Sequence, residues 1–192
     1  DMQWNIITPE RIIGCVVYPA TEIIRPGVIK HIEGNRFSLG EPNGKQSERI
    51  IRISRALINS GLKAPIRSNI RQDIWVKLIG NLAFNPLSVI TGETLEVLLS
   101  KKENRAIAYS VMLEVNKIIN KLGISLNISI DQRIKGAAKV GAHNTSMLQD
   151  YKKGKKLELD AIVIAVKEIG SLLGVNTPTI DKILYKVEEK IS

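Results

Sequence analysis

Trp75-Val-Lys77-Leu-Ile-Gly-Asn81-Leu-Ala-Phe-Asn85-Pro86-Leu-Ser88 is an oily run interrupted by a lysine and two asparagines. Lys77, Asn81 and Asn85 recur at i, i+4 and i+8. At 3.6 residues per turn this spacing puts the three on one helix face, drifting by roughly 40° per step. The plain reading is that this face meets solvent. Against it, outward helix positions favour Glu, Lys, Gln or Arg, and Asn is a poorer helix former. A seam of one ammonium and two carboxamides is costly inside an apolar helix unless its polar groups have partners. Pro86 removes its own helical donor and frees the carbonyl of Leu82, so a kink is expected where the seam ends.

Working outward, residues 70–90 read as one long apolar helix, and everything beyond it also reads as helix. The pattern predicts helices over 93–99, 104–122 (stopped by Gly123), 129–140, 146–153, 159–173 (stopped by Gly174) and from Pro178 onward. Upstream the character is β. Residues 12–18 are an apolar run that Pro19 and Ala20 interrupt, and Arg25-Pro26-Gly27 is a turn signal. Residues 28–33 alternate apolar and polar, and Gly34-Asn35 separates them from 36–39, which predicts a hairpin with a two-residue turn there. Ser47 is expected to cap a helix over 48–59, with Ile50, Ile51, Ile53, Leu57 and Ile58 as its apolar face. Residues 62–67 read as a further strand. The order β-β-β-α-β is the back half of a doubly wound sheet, so the expected fold class is α/β plus all-α, divided into residues 1–68 and 69–192.

Composition narrows the function. The 192 residues carry 28 Lys+Arg against 19 Asp+Glu, a net charge of +9, with 44% apolar and 24% charged residues. That balance is globular rather than disordered. No unbroken apolar run approaches the roughly 18 residues of a membrane span, and no secretory leader is visible. Cys15 is the only cysteine, which excludes an internal disulfide and fits a reduced, cytoplasmic setting. The basic excess is spread over both parts, without a basic stripe or interleaved aromatics, so it reads first as surplus surface lysine with no role and next as a diffuse field that draws in small carboxylate or phosphate ligands, with no nucleic acid and no membrane expected. Cys15 is expected to be a buried small hydrophobe, Trp75 a core residue and His31 an ordinary strand residue. No metal is expected: His143 has no second ligand near it.

A second polar cluster is His143-Asn144-Thr145-Ser146-Met147-Leu148-Gln149-Asp150, followed by Leu157-Glu158-Leu159-Asp160. Ser or Thr at 145–146 with Gln149 or Asp150 downstream reads as a capping arrangement, and Glu158 as a first-turn residue favoured by the helix dipole. Taken together, Trp-x-Lys-Leu-x-x-Asn-x-x-x-Asn-Pro-Leu, Ser-Met-Leu-Gln-Asp and Glu-x-Asp resemble the ketopantoate reductase (2-dehydropantoate 2-reductase) family. Gly14-Cys-Val-Val-Tyr-Pro-Ala20, Pro26-Gly-Val-Ile-Lys-His31 and Leu39-Gly-Glu41 are similar to the closing strands of that family's nucleotide-binding domain.

The resemblance implies a Rossmann-like NADP domain followed by a helical domain of the 6-phosphogluconate dehydrogenase type. Residues 1–68 would be the C-terminal part of the first and 69–192 the second. The family's Gly-x-Gly-x-x-Gly has no counterpart, and the chain opens at Asp1 rather than Met. The expectation is therefore a protein lacking part of its cofactor domain and inactive alone. By the same resemblance Lys77 is the proton donor. Asn81, Asn85 and Ser146 bind substrate, while Glu158 and, through its backbone, Ala20 contact NADPH. The chain departs from the family pattern at Leu157, where Thr is frequent, and at Gly92-Glu-Thr-Leu95, where some members have another Asn.

The residue types suit the chemistry. Hydride addition to a 2-oxo acid builds negative charge on the ketone oxygen, which a positioned ammonium both polarises and protonates. Each Asn offers a donor and an acceptor without adding charge. The implied activity is NADPH-dependent reduction of 2-dehydropantoate to pantoate in pantothenate biosynthesis. Reduction of another small branched 2-oxo acid and a non-catalytic helical dimerisation module both stay open, and a homodimer is an expected assembly.

Overall fold

The computed structural model describes residues 6–139, 141–142 and 144–192, so His143 lies outside the described residues. The chain divides into two compact units, Asp1–Ile74 and Trp75–Ser192. The division falls inside the long helix α2, Ile70–Thr91.

The first unit holds four short strands, β1 Gly14–Val17, β2 Ala20–Arg25, β3 Val28–Glu33 and β4 Phe37–Gly40, followed by helix α1, Glu48–Asn59. The hairpin does not form where the sequence suggested. β3 pairs antiparallel with β2 across Pro26-Gly27, while β4 pairs antiparallel with β1, Cys15 opposite Leu39. Proline fixes the second position of the 25–28 turn, and Gly27 takes φ +77° at the third, the backbone a type II turn demands. Gly34 marks a corner between the two ribbons instead. Its φ is +76°, and a Cβ there would lie 3.0 Å from the carbonyl oxygen of Tyr18.

Burial explains the partition. Leu39 on β4 joins Ile50 of α1 and Ala64 in a small core, whereas every residue of β3 is exposed. Cys15 corrects another expectation: it is exposed, because strand alternation turns Val16 inward and its neighbours out. Residues 62–67 make only isolated parallel bridges, Lys63 with Arg36 just before β4 and Ile66 with Leu39 on it, rather than a full strand. Gly40 and Gly14, paired across the β1–β4 ribbon, both face Ile70. A Cβ on Gly40 would come within 2.4 Å of the Ile70 Cβ, so the absence of side chains lets the start of α2 seat on the ribbon.

Helix α1 begins at Ser47, whose side chain accepts from Ile50 N at 3.3 Å. Glu41 is the buried anchor beneath it. It accepts from Arg49 Nε at 2.8 Å and from the Ser47 hydroxyl. Arg49 holds the Glu41 carboxyl below the usual carboxylate range, and the Ser47 hydrogen bond acts in the same direction against the opposing effect of burial.

The second unit is helical. After α2 come α3 Leu95–Ser100, α4 Lys102–Lys121, α5 Ile130–Ala138, α6 Ser146–Lys152, α7 Ala165–Leu172 and α8 Pro178–Ile191. α4 is central and packs against α3, α5, α7 and α8. Its Val111, Met112, Val115, Ile118 and Ile119 are buried with Leu82, Ala83 and Val89 of α2 and Ile180 and Val187 of α8, each large apolar side chain being worth about 1.5–3 kcal/mol. Trp75 belongs to this core. By length and composition α2 could cross a membrane, but 61% of its most apolar window is buried inside the protein. The helix continues past Pro86 to Thr91. The expected 159–173 helix is not uniformly α: Asp160–Ile164 is a wider π turn leading into α7. Glu114, buried on α4, accepts from Thr179 N at 2.8 Å and Ile180 N at 3.0 Å, satisfying donors that the first turn of α8 leaves open.

Candidate functional site

The polar seam of α2 descends from half-buried Lys77 and Asn81 to buried Asn85, which is 5% exposed. The Asn85 Nδ2 group has no hydrogen-bond partner among the described residues. A buried amide left unpaired costs about 1–3 kcal/mol, so it is suited to a ligand oxygen. Asn85 therefore departs from the solvent-face reading.

The seam does not stop at Asn85. Ser88, fully buried, donates to the Asn85 carbonyl at 2.7 Å, and its oxygen lies 2.6 Å from Thr145 Oγ1. A hydroxyl has one proton to give, so Thr145 donates to Ser88. Thr145 in turn accepts from Leu148 N at 3.1 Å as the N-cap of α6. The cap is thus Thr145, not Ser146. Ser146 is the first residue of α6 and exposed, and Gln149 Nε2 closes the loop onto the Asn144 carbonyl at 3.1 Å.

The structure therefore joins the two sequence motifs through a hydroxyl pair that spacing alone did not single out. Ser88 lies three residues past Asn85, on the continuation of the same face, which is the signal that would have found it. The other two expected contacts, Glu158 and Ala20, belong to different units. Glu158 is exposed, and its carbonyl accepts from Ile162 N at 3.1 Å as the chain enters the π turn. Ala20 is exposed at the start of β2, in the first unit. Among the described residues the Glu158 carboxylate makes no hydrogen bond to Asn85, Ser88 or Thr145.

Residues 69–190 match the model of the ketopantoate reductase PanE/ApbA C-terminal family. The chain belongs to that family. The 2-dehydropantoate 2-reductase of Mesorhizobium japonicum is 51% identical over 184 residues, which are 96% of this chain and 56% of that protein. A crystal structure from Ralstonia solanacearum MolK2, provisionally described as a ketopantoate reductase, superposes with a TM-score of 0.91 at 37% identity over 97% of this chain and 57% of that one. A D-mandelate dehydrogenase in complex with NADH shares the fold, with a TM-score of 0.91 at 23% identity over 100% of this chain and 66% of that one. The chain spans about half the length of the curated relatives it matches. The helical half is this family's C-terminal domain, preceded by a small strand-rich unit, as the resemblance implied.

Proposed function

We propose that the natural polypeptide carrying this chain reduces 2-dehydropantoate to pantoate with NADPH, a step of pantothenate biosynthesis. The observation that carries the reading is the buried, unpartnered Nδ2 of Asn85 at the foot of the Lys77–Asn81 seam, in a chain of this family.

Lys77 Nζ polarises the ketone oxygen and gives it a proton as negative charge develops there. Asn85 Nδ2 donates to a substrate oxygen, and Asn81, one turn earlier, supplies a second donor and acceptor. The Ser146 hydroxyl, which is not used in capping, meets the carboxylate. Glu158 is an exposed acceptor whose chemistry fits ribose hydroxyls, and with the Ala20 backbone it would hold the cofactor's ribose and nicotinamide ends. When bound, the nicotinamide supplies the hydride.

A second reading keeps the reaction and changes the substrate to another small branched 2-oxo acid. The fold is shared with a D-mandelate dehydrogenase, so fold alone does not choose the acid. The test is a panel of 2-oxo acids with NADPH and NADH on the natural polypeptide. The highest kcat/KM is expected for 2-dehydropantoate with NADPH, and a tenfold preference for another acid would favour the second reading. The 192 residues alone contain no Gly-x-Gly-x-x-Gly turn, the element that brings backbone amides to a pyrophosphate. By calorimetry they should bind NADPH at about millimolar Kd or weaker, and they should show no turnover.

A further inference from the structure

Gly80 sits in the interior of α2, where glycine weakens a helix relative to alanine, and the compensating feature is on α5. A Cβ on Gly80 would lie 2.0 Å from Nη2, 2.6 Å from Cζ and 2.9 Å from Nε of Arg133. The guanidinium therefore rests directly on the α2 backbone. Its Nε reaches the Val76 carbonyl at 3.4 Å, and its Cζ lies 5.6 Å from the centre of the Phe84 ring.

Val76, Gly80 and Phe84 form a stripe at i, i+4 and i+8, and Gly80 is the i+3 neighbour of Lys77. Residues three and four apart are adjacent on a helix surface, so the half-buried Arg133 brings a second cation to the flank of the Lys77–Asn81–Asn85 seam. A guanidinium, permanently charged and planar, matches a carboxylate fork as an ammonium does not.

We propose that Arg133 is a substrate-binding residue that receives the carboxylate of the 2-oxo acid, and that the missing side chain at Gly80 is what seats it there. The proposal rests on the functional reading above. It divides the labour between two cations: Lys77 serves the ketone oxygen and Arg133, with Ser146, the carboxylate.

The test compares wild type, Arg133→Gln, Gly80→Ala and the double variant in the natural polypeptide. It reads kcat and KM for 2-dehydropantoate with NADPH, calorimetric titration with pantoate, and Tm. Arg133→Gln should raise KM about 10–100-fold and weaken pantoate equally, with kcat little changed, as loss of uniform binding requires. Gly80→Ala should reproduce most of that rise with Tm unchanged or higher, since alanine favours the helix and only the flexible end of Arg133 must move. The double variant should bind no worse than Arg133→Gln alone. Wild-type KM and pantoate affinity in Arg133→Gln, or a lowered Tm with both unchanged, would overturn the proposal. A KM rise in Arg133→Gln without one in Gly80→Ala would overturn the seating role of Gly80. Wild type that turns over no 2-oxo acid sinks the functional reading, and the pantoate titration then judges Arg133 by itself.

Discussion

The hydroxyls of Ser88 and Thr145 lie 2.6 Å apart across 57 residues of sequence. They are the middle links of a directed chain in which Leu148 N donates to Thr145, Thr145 to Ser88 and Ser88 to the carbonyl of Asn85. Each hydroxyl gives its single proton and accepts one, so the chain has one polarity. It fastens the first turn of α6, with Ser146 on it, to the foot of the α2 seam. The hydroxyls hold this corner of the helical unit, and the proposed reading assigns Ser146 to the substrate.

Thr145 and Ser146 should separate cleanly on substitution. Thr145→Val removes the cap and strands the Ser88 oxygen and Leu148 N, and should lower stability by about 1–3 kcal/mol. Ser146→Ala should leave the melting temperature within a degree or so while raising KM for the oxo acid. Denaturant unfolding and steady-state kinetics on both variants check the pair. A destabilised Ser146→Ala with normal KM would return Ser146 to a structural role.

Lys77→Ala in the natural polypeptide should lower kcat by roughly 10²–10⁴, the usual worth of a positioned general acid. Lys77→Arg should fail as well, because a guanidinium is a poor proton donor near neutral pH. Retention of more than half the wild-type kcat in either variant would mean that the proton comes from another group.

Glu41 makes the first unit acid-sensitive. Its folded pKa lies below the ordinary value of 4.5, mainly through its hydrogen bond with Arg49. The resulting stabilisation is complete above that ordinary value and is lost as pH falls through the lower, folded value. Melting temperature should therefore drop as pH falls below 4.5, and Glu41→Gln should show a smaller drop. Parallel curves for the two proteins would contradict this assignment.

Glu114 is expected to be structural only. Glu114→Ala leaves the Thr179 and Ile180 amides without their acceptor and should cost about 1–3 kcal/mol. In the natural polypeptide kcat and KM should hold at temperatures where the variant stays folded. A kinetic change without a stability change would reverse the assignment.

Much of this was legible in the chain itself. Local signals set the helices: Ser47 opens α1, Ser129 forms a capping box with Gln132 at α5, and Pro178 begins α8. The i, i+4, i+8 spacing was enough to put Lys77, Asn81 and Asn85 on one face, because helical periodicity is a property of consecutive residues. Strand pairing was not legible at this level. Gly34-Asn35 and Pro26-Gly27 are both turn signals, and the choice between them depended on which strand could bury Leu39 against Ile50 of α1, a contact between residues far apart in sequence. The exposure of Cys15 and the identity of the α6 cap were decided in the same way, by what lay opposite. Above all, sequence could name Asn85 and the 145–146 pair but could not join them. The Ser88–Thr145 bond and the seat of Arg133 on Gly80 exist only because packing brings α5 and α6 onto α2, and no local pattern encodes which side chains meet across such a gap.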